Sequence, residues 1–130
     1  MAQVNLSGMR CFQDGSALQT LNRLVVTHST LTPQQVAQST GCDLNSAMAV
    51  LVLLYDRGLA DGFLEVYHQR HPDGPPIRRI RIEEGPPPVP FECEVCEGQV
   101  SSVGELYFDL LFRPISDVQF MVTQHDPHDD

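Results

Sequence analysis

The sequence predicts an α+β fold in which three helices come first, a β-hairpin follows and a β-rich segment comes last. Two periodicities carry this prediction. Up to about Gly58 the apolar residues recur every three or four positions, which is the period of a helix. Beyond Gly58 they alternate with polar residues, which is the period of a strand. A Pro-rich run, EGPPPVP, then divides the β-rich half, because three consecutive prolines exclude both a helix and a central strand.

The first helix is predicted to begin at Ser16, a good N-cap residue, and to end near Ser29. Leu18, Leu21 and Leu24 lie three residues apart and form its apolar face. The residues before this helix are predicted to form a short strand or an N-terminal arm.

The second and third helices are predicted from the signals at their ends. Thr32 is an N-cap followed by Pro33 at the first helical position, and Gly41 ends this short helix. Asp43 caps the third helix, LNSAMAVLVLLYDRGLA, which Gly58 ends. A short helix, a tight turn and a longer helix are therefore expected before the first strand.

The strands are predicted from alternating residues. LADGFLEVYH and IRRIRI form a hairpin around the turn QRHPDGPP, with Arg79 and Arg81 on the face opposite Ile80 and Ile82. After the Pro-rich run, ELYFDLLF and VQFMV are two further strands, and a disordered acidic tail follows. The predicted organisation is a helix-and-hairpin domain with an N-terminal arm at 1–84, a linker at 85–90, a β-rich extension at 91–122 and the tail at 123–130.

The charge of the chain is uneven along its length. Of the formal net charge of −9, residues up to Glu84 contribute −1, from eight acidic and seven basic side chains, and the remainder contributes −8. The second part would therefore repel a polyanion such as DNA. No apolar run approaches the roughly 20 residues of a membrane helix, and the N-terminus lacks a secretory signal. A cytoplasmic protein with free thiols at its cysteines and no membrane association is expected.

The order of the elements resembles a winged helix-turn-helix over about Ser16 to Ile82. The segments that carry the resemblance are TPQQVAQSTGCD, as second helix and turn, and LLYDRGLADGF, as third helix running into the hairpin, or wing. The layout is similar to that of MarR-like and ArsR-like bacterial regulators. In DNA-binding members of this superfamily the outward side chains of the third helix contact bases and phosphates, and the resemblance implies a corresponding surface here.

The third helix departs from that DNA-reading pattern. With Ala47, Leu51 and Leu54 inward, its outward side chains are mainly apolar, and an apolar outer face is typical of a covered face. We therefore predict contacts with a protein partner or a second copy of the chain. Four outward residues form the predicted contact surface: Met48, Ala49, Val52 and Leu53.

The alternative hypothesis is DNA binding by the third helix and an arginine-rich wing. Its candidate residues are Asn45, Ser46, Arg57, Arg70, Arg78, Arg79 and Arg81. The wing arginines also fit a solvated strand face on which they pair with Glu65, Glu83 and Glu84. A DNA-binding regulator is therefore the second hypothesis rather than the first.

The segment CEVCEG resembles the first knuckle of a zinc ribbon, with Cys93 and Cys96 as candidate metal ligands. The stretch RPISDV, where a ribbon would carry its second ligand pair, contains neither Cys nor His. Two further ligands have three sources: the Cys pair of a second chain, Cys11 or Cys42, or the tail residues His125 and His128. Without them the extension is a degenerate, zinc-free ribbon in which the thiols act as small buried side chains. The flanking glutamates raise the pKa of both thiols, which disfavours redox catalysis.

Catalytic motifs are missing from the sequence. It contains no Gly-rich phosphate loop, no HExxH and no GxSxG elbow, and its five histidines are interpreted as surface groups. The sequence therefore predicts a non-catalytic winged-helix protein of bacterial type, an adaptor, regulatory or assembly subunit that forms protein-protein contacts. No cofactor is expected other than zinc at Cys93 and Cys96.

Overall fold

A computed structural model describes residues 2–71, 73–115 and 117–123 and shows an α+β protein. Two compact units make up the chain. The first unit runs up to Asp61 and resumes at Phe112, and the second unit spans Gly62–Leu111. The division therefore does not fall at the predicted linker, 85–90, which lies inside the second unit.

The helices, α1 (Gly15–Thr27), α2 (Pro33–Thr40) and α3 (Leu44–Asp56), all lie in the first unit. The described strands are β1 (Ala2–Asn5), β2 (Ala60–His68), β3 (Arg78–Arg81), β4 (Phe91–Glu92), β5 (Gln99–Val100), β6 (Leu106–Pro114) and β7 (Val118–Met121). β1 and β7 pair in parallel, β4 and β5 pair antiparallel, and β2 lies between β3 and β6 in a three-stranded sheet. The pairing of β2 with β3 is antiparallel, as predicted for the hairpin.

The helix ends follow their capping residues. Thr32 and Asp43 cap α2 and α3 as predicted, and Gly41, with a φ of 78°, ends α2 in the left-handed conformation. The N-cap of α1 was predicted wrongly. Asp14, not Ser16, is the cap, because its carboxylate accepts a hydrogen bond from the Ser16 backbone N–H at 2.8 Å and the helix begins between them.

The core of the first unit confirms the predicted inward face of the third helix, since Ala47, Leu51 and Leu54 are fully buried. A disulfide joins Cys11, in a 3-10 turn before α1, to Cys42, in the turn after α2. Their Cα atoms lie 5.8 Å apart, within the usual range for a disulfide. The expectation of free thiols is therefore wrong for these two cysteines.

The core of the second unit is small and is shared by the hairpin and the cysteine segment. Val66 of β2 and Ile77 just before β3 are buried in one cluster with Cys93, Val100 and Leu106. This packing places the predicted linker inside the unit, because segments on both sides of it contribute to the same core. Partly buried Ile80, Val89, Phe91 and Phe108 surround the cluster.

Among the described residues, no helix combines the length and the apolar character needed to cross a membrane. The predicted acidic tail lies, after Thr123, outside the described residues.

Candidate functional site

Four side chains able to bind a metal converge within the second unit: His68, His71, Cys93 and Cys96. We call them the His-Cys cluster. His68 is the last residue of β2, and His71 lies in the turn that follows it. Cys93 directly follows β4, and Cys96 lies in the turn between β4 and β5. Two residues thus separate the two histidines, and two residues separate the two cysteines. Each of these pairs lies at the end of a strand.

Backbone hydrogen bonds shape both turns of the cluster. The His71 N–H donates to the His68 carbonyl at 3.1 Å, which closes the turn at the end of β2. In the other turn the Cys93 N–H donates to the Gly98 carbonyl at 2.8 Å and the Glu97 N–H donates to the Cys93 carbonyl at 2.9 Å. Glu97 has a φ of 62°, the left-handed conformation that folds the chain back toward β5.

The two pairs face each other side chain to side chain. His68 Nδ1 lies 3.3 Å from Cys96 Sγ, and His71 Nε2 lies 3.3 Å from Cys93 Sγ. One nitrogen or sulfur atom from each of the four residues lies within 4.8 Å of all the others. Four ligand atoms of two kinds therefore surround a single point.

Burial within the His-Cys cluster is unequal. Cys93 is fully buried and His68 is 1% exposed, whereas His71 is half-buried and Cys96 is exposed. The cluster is thus anchored in the core of the unit on the side of Cys93 and His68 and reaches solvent at Cys96. A buried imidazole and a buried thiol both need a polar partner, and each finds one inside the cluster.

Burial raises the pKa of the Cys93 thiol, but hydrogen bonds outweigh it and lower the pKa to about 6. The N–H of Cys96 contributes most to this lowering, followed by the His71 ring and the Val95 N–H. The Arg70 guanidinium also lies near this turn, on the same side of Gly98 as the Cys96 sulfur. A methyl group placed on Gly98 would lie 2.7 Å from Arg70 Nη1 and 3.4 Å from Cys96 Sγ. The turn therefore favours a thiolate at Cys93, despite the acidic neighbours that the sequence shows.

In the first unit, the outward side of α3 is apolar. Leu44 is 47% and Val52 is 38% exposed, Ala49 is also exposed, and Met48 is half-buried. We call these four residues the α3 outer row: Leu44, Met48 and Val52 lie four positions apart on one side of the helix, and Ala49 lies beside them. Of the residues predicted for partner contact, Leu53 is half-buried and lies beside this row.

The polar residues proposed for DNA contact on α3 are few. Asn45 and Arg57 are exposed at the two ends of the helix. Ser46 is occupied in capping, since its hydroxyl donates to Asp43 Oδ1 at 2.6 Å. The helix therefore presents no cation along its middle turns.

The arginines of the hairpin contact acidic and aromatic side chains of the second unit. Arg78 lies 3.7 Å from Glu94 and stacks over Phe91 at 4.9 Å. Arg79 pairs with Glu65 at 3.4 Å. Arg81 has two such contacts: Glu83 Oε1 at 3.9 Å and the Phe63 ring at 5.4 Å. Two of the three predicted acidic partners, Glu65 and Glu83, thus carry these pairs.

Sequence reasoning found one half of the His-Cys cluster and missed the other. His68 and His71 were interpreted as surface groups, which is wrong for the buried His68. Of the predicted sources for further ligands, Cys11 and Cys42 are joined to each other in the first unit, and His125 and His128 lie outside the described residues. The signal that could have found the histidines is their spacing, since His-x-x-His at a strand end has the same form as Cys-x-x-Cys.

Comparison with known proteins gives no assignment. No family model, no curated protein and no solved structure matches the chain. Any proposal about function therefore depends on the residues and their geometry.

Proposed function

We propose that the chain is a non-catalytic protein that acts through protein-protein contacts, with the α3 outer row as its docking surface. The observation that carries the proposal is the exposure of this row, in which Leu44 and Val52 are 47% and 38% exposed. Exposed apolar residues that are contiguous on one helix face are typical of an interaction site. A second copy of the chain is the proposed partner, because a twofold dimer can pair one apolar row with itself.

The order of the elements supports a winged-helix architecture for this protein. α1, α2 and α3 follow one another, and the antiparallel β2–β3 hairpin comes next, in the position of the wing. Winged helices serve both as DNA-binding and as protein-interaction modules, so the surface rather than the architecture decides between the two functions.

The surface favours protein over DNA. A phosphate-tracking face needs cations free to replace counterions, and Arg78, Arg79 and Arg81 already lie beside carboxylates. Exposed ion pairs of this kind contribute only about 0–1 kcal/mol each, so they neutralise the hairpin rather than make it rigid. The formal net charge of −9 adds a general repulsion from DNA.

The test is the mass of the full chain in solution, measured by light scattering over a range of concentrations. We expect a dimer, and we expect Val52→Glu to weaken it at least about tenfold, equivalent to about 1.4 kcal/mol, because a carboxylate would be buried in an apolar contact. Val26→Glu is the matched control, since Val26 is 79% exposed and belongs to α1 rather than to the row.

Two results would overturn the proposal. A wild-type chain that stays monomeric at all concentrations would remove the proposed partner. Retardation of duplex DNA that weakens steeply with salt, and is lost in Arg79→Ala, would instead support the DNA-binding function.

A further inference from the structure

We propose that the His-Cys cluster binds one Zn²⁺ ion per chain, in a structural site made entirely of His68, His71, Cys93 and Cys96. This site is independent of the docking surface on α3, since all four residues belong to the second unit. Three observations support this proposal: the four side chains converge, their nitrogen and sulfur atoms are zinc ligands, and the hydrophobic cluster around them is small.

The distances fit a tetrahedral zinc site. Zinc bonds are about 2.0–2.1 Å to nitrogen and about 2.3 Å to sulfur, so the ligand atoms of a tetrahedron lie about 3.3–3.8 Å apart. The two His–Cys contacts of the cluster are both 3.3 Å, and no two of the four atoms are more than 4.8 Å apart. The upper bound on these separations therefore exceeds the tetrahedral range by only about 1 Å.

The ligands come in two pairs on two turns, which is how structural zinc sites are usually built. Backbone hydrogen bonds hold each turn in place, with His71 N–H to His68 O at 3.1 Å in one and Cys93 N–H to Gly98 O at 2.8 Å in the other. The ion would therefore clip the end of β2 to the β4–β5 hairpin. Four protein ligands leave no open coordination position, so the site is a structural one and not a catalytic one.

The ligand types select the class of metal. Two thiolates and two imidazoles suit zinc, whereas calcium and magnesium require oxygen ligands. The charges also balance, because two thiolates neutralise a divalent ion. A neutral centre suits a site in which Cys93 is fully buried and His68 is 1% exposed, since an unbalanced charge there would be strongly unfavourable.

The second unit has a structural need for such an ion. Among the residues that the structure describes, the hydrophobic cluster at its core has five buried members, one of which is the ligand Cys93 itself. Small units with little apolar core commonly depend on a metal or a disulfide, and Cys93 and Cys96 are not disulfide-bonded. A zinc ion bound to both halves of the unit would supply the missing cross-link.

The test uses Co²⁺ as a spectroscopic probe on the full chain, freed of metal with a chelator and kept under a thiol reductant. We expect intense visible bands of tetrahedral Co²⁺ and a near-ultraviolet thiolate band, both saturating at one ion per chain. Added Zn²⁺ should displace the Co²⁺ at the same ratio. His71→Ala is expected to weaken Co²⁺ binding at least about 100-fold, because removing a ligand does more than the 10–100-fold effect of removing a group that only orients one.

The control is His28→Ala, an exposed histidine of the first unit, which should bind like the wild type. Because His71→Ala could fail to fold, Cys96→His provides a second readout. It keeps four ligands but only one thiolate, so it should still bind one Co²⁺ with about half the thiolate band, a ratio set by ligand count. The proposal is overturned by absent or octahedral Co²⁺ spectra, by unchanged binding in His71→Ala, or by saturation at one ion per two chains, which would mean that two Cys pairs share a metal.

Discussion

At the scale of single residues, the cluster shows how a side chain acquires a role from its neighbours. Cys93 lies between Glu92 and Glu94, and Cys96 precedes Glu97, yet Cys93 is buried and its sulfur accepts hydrogen bonds from backbone N–H groups. Hydrogen bonds from the backbone N–H groups of Cys96 and Val95 and from the His71 ring decide the direction of its pKa shift. The thiolate form that a metal requires is thus favoured by the turn itself.

Glu105 gives a residue-scale prediction about pH. Its carboxylate accepts hydrogen bonds from the N–H groups of Ser101 and Ser102, which hold its pKa below the ordinary value of 4.5. Because folding lowers this pKa, the carboxylate stabilises the folded chain above pH 4.5, and that contribution is lost as the pH falls through the folded value. Glu105→Gln should therefore lower the urea midpoint at pH 7, and the difference from wild type should shrink on acidification.

Glu84→Gln is the control for that experiment, since Glu84 is an exposed glutamate of the same unit and lies outside the Ser101–Glu105 turn. Acid-induced changes elsewhere in the chain, including any loss of metal, affect wild type and both variants alike. A difference between Glu105→Gln and wild type that stays constant from pH 7 to pH 3 would contradict the assigned role.

The residue scale is also where sequence reasoning was least complete. Cys93 and Cys96 were recognised from their spacing, and so were the inward residues of the third helix. The partners of the two cysteines were not, because 21 residues separate His71 from Cys93 in the sequence and no periodic pattern records a contact over such a distance. The contact arises from the shared core of the second unit, which only the folded chain displays.

At the scale of elements, the residues that cap the helices predicted where α2 and α3 begin. α2 begins and ends where Thr32 and Gly41 predict, because a side-chain acceptor and a left-handed residue are local requirements. The β1–β7 pairing could not be predicted in the same way, since it joins the two ends of the described chain in parallel. Local rules therefore give the helices and the β2–β3 hairpin, whereas the β1–β7 pairing depends on contacts between distant parts of the chain.

Gly41 supplies the element-scale prediction. Its φ of 78° is unfavourable for a residue with a Cβ, although there is open space around the position. Gly41→Ala should therefore destabilise the chain by about 1 kcal/mol, measured by urea unfolding. Gly15→Ala is the control: it lies at the start of α1, also in open space, without a left-handed φ, and should change stability by less than about 0.5 kcal/mol. Equal effects of the two substitutions would contradict this explanation.

At the scale of the whole molecule, the two units are stabilised by different means. The first unit contains all three helices, the larger share of the buried apolar side chains and the Cys11–Cys42 disulfide. The second unit has the small core and the His-Cys cluster. In metal-binding peptides a structural zinc contributes about 10–16 kcal/mol of binding free energy to folding, which is comparable with burying all five side chains of this cluster at about 1.5–3 kcal/mol each. The folding of the second unit is therefore expected to depend on the ion.

Zinc content is the most direct measurement of the central claim. The full chain, purified under a thiol reductant and reconstituted with Zn²⁺, would be passed through a desalting column and analysed for zinc and protein by elemental analysis. The account predicts one zinc per chain, retained in His28→Ala and reduced in His71→Ala. Zinc-free protein after reconstitution, or one zinc for every two chains, would contradict it.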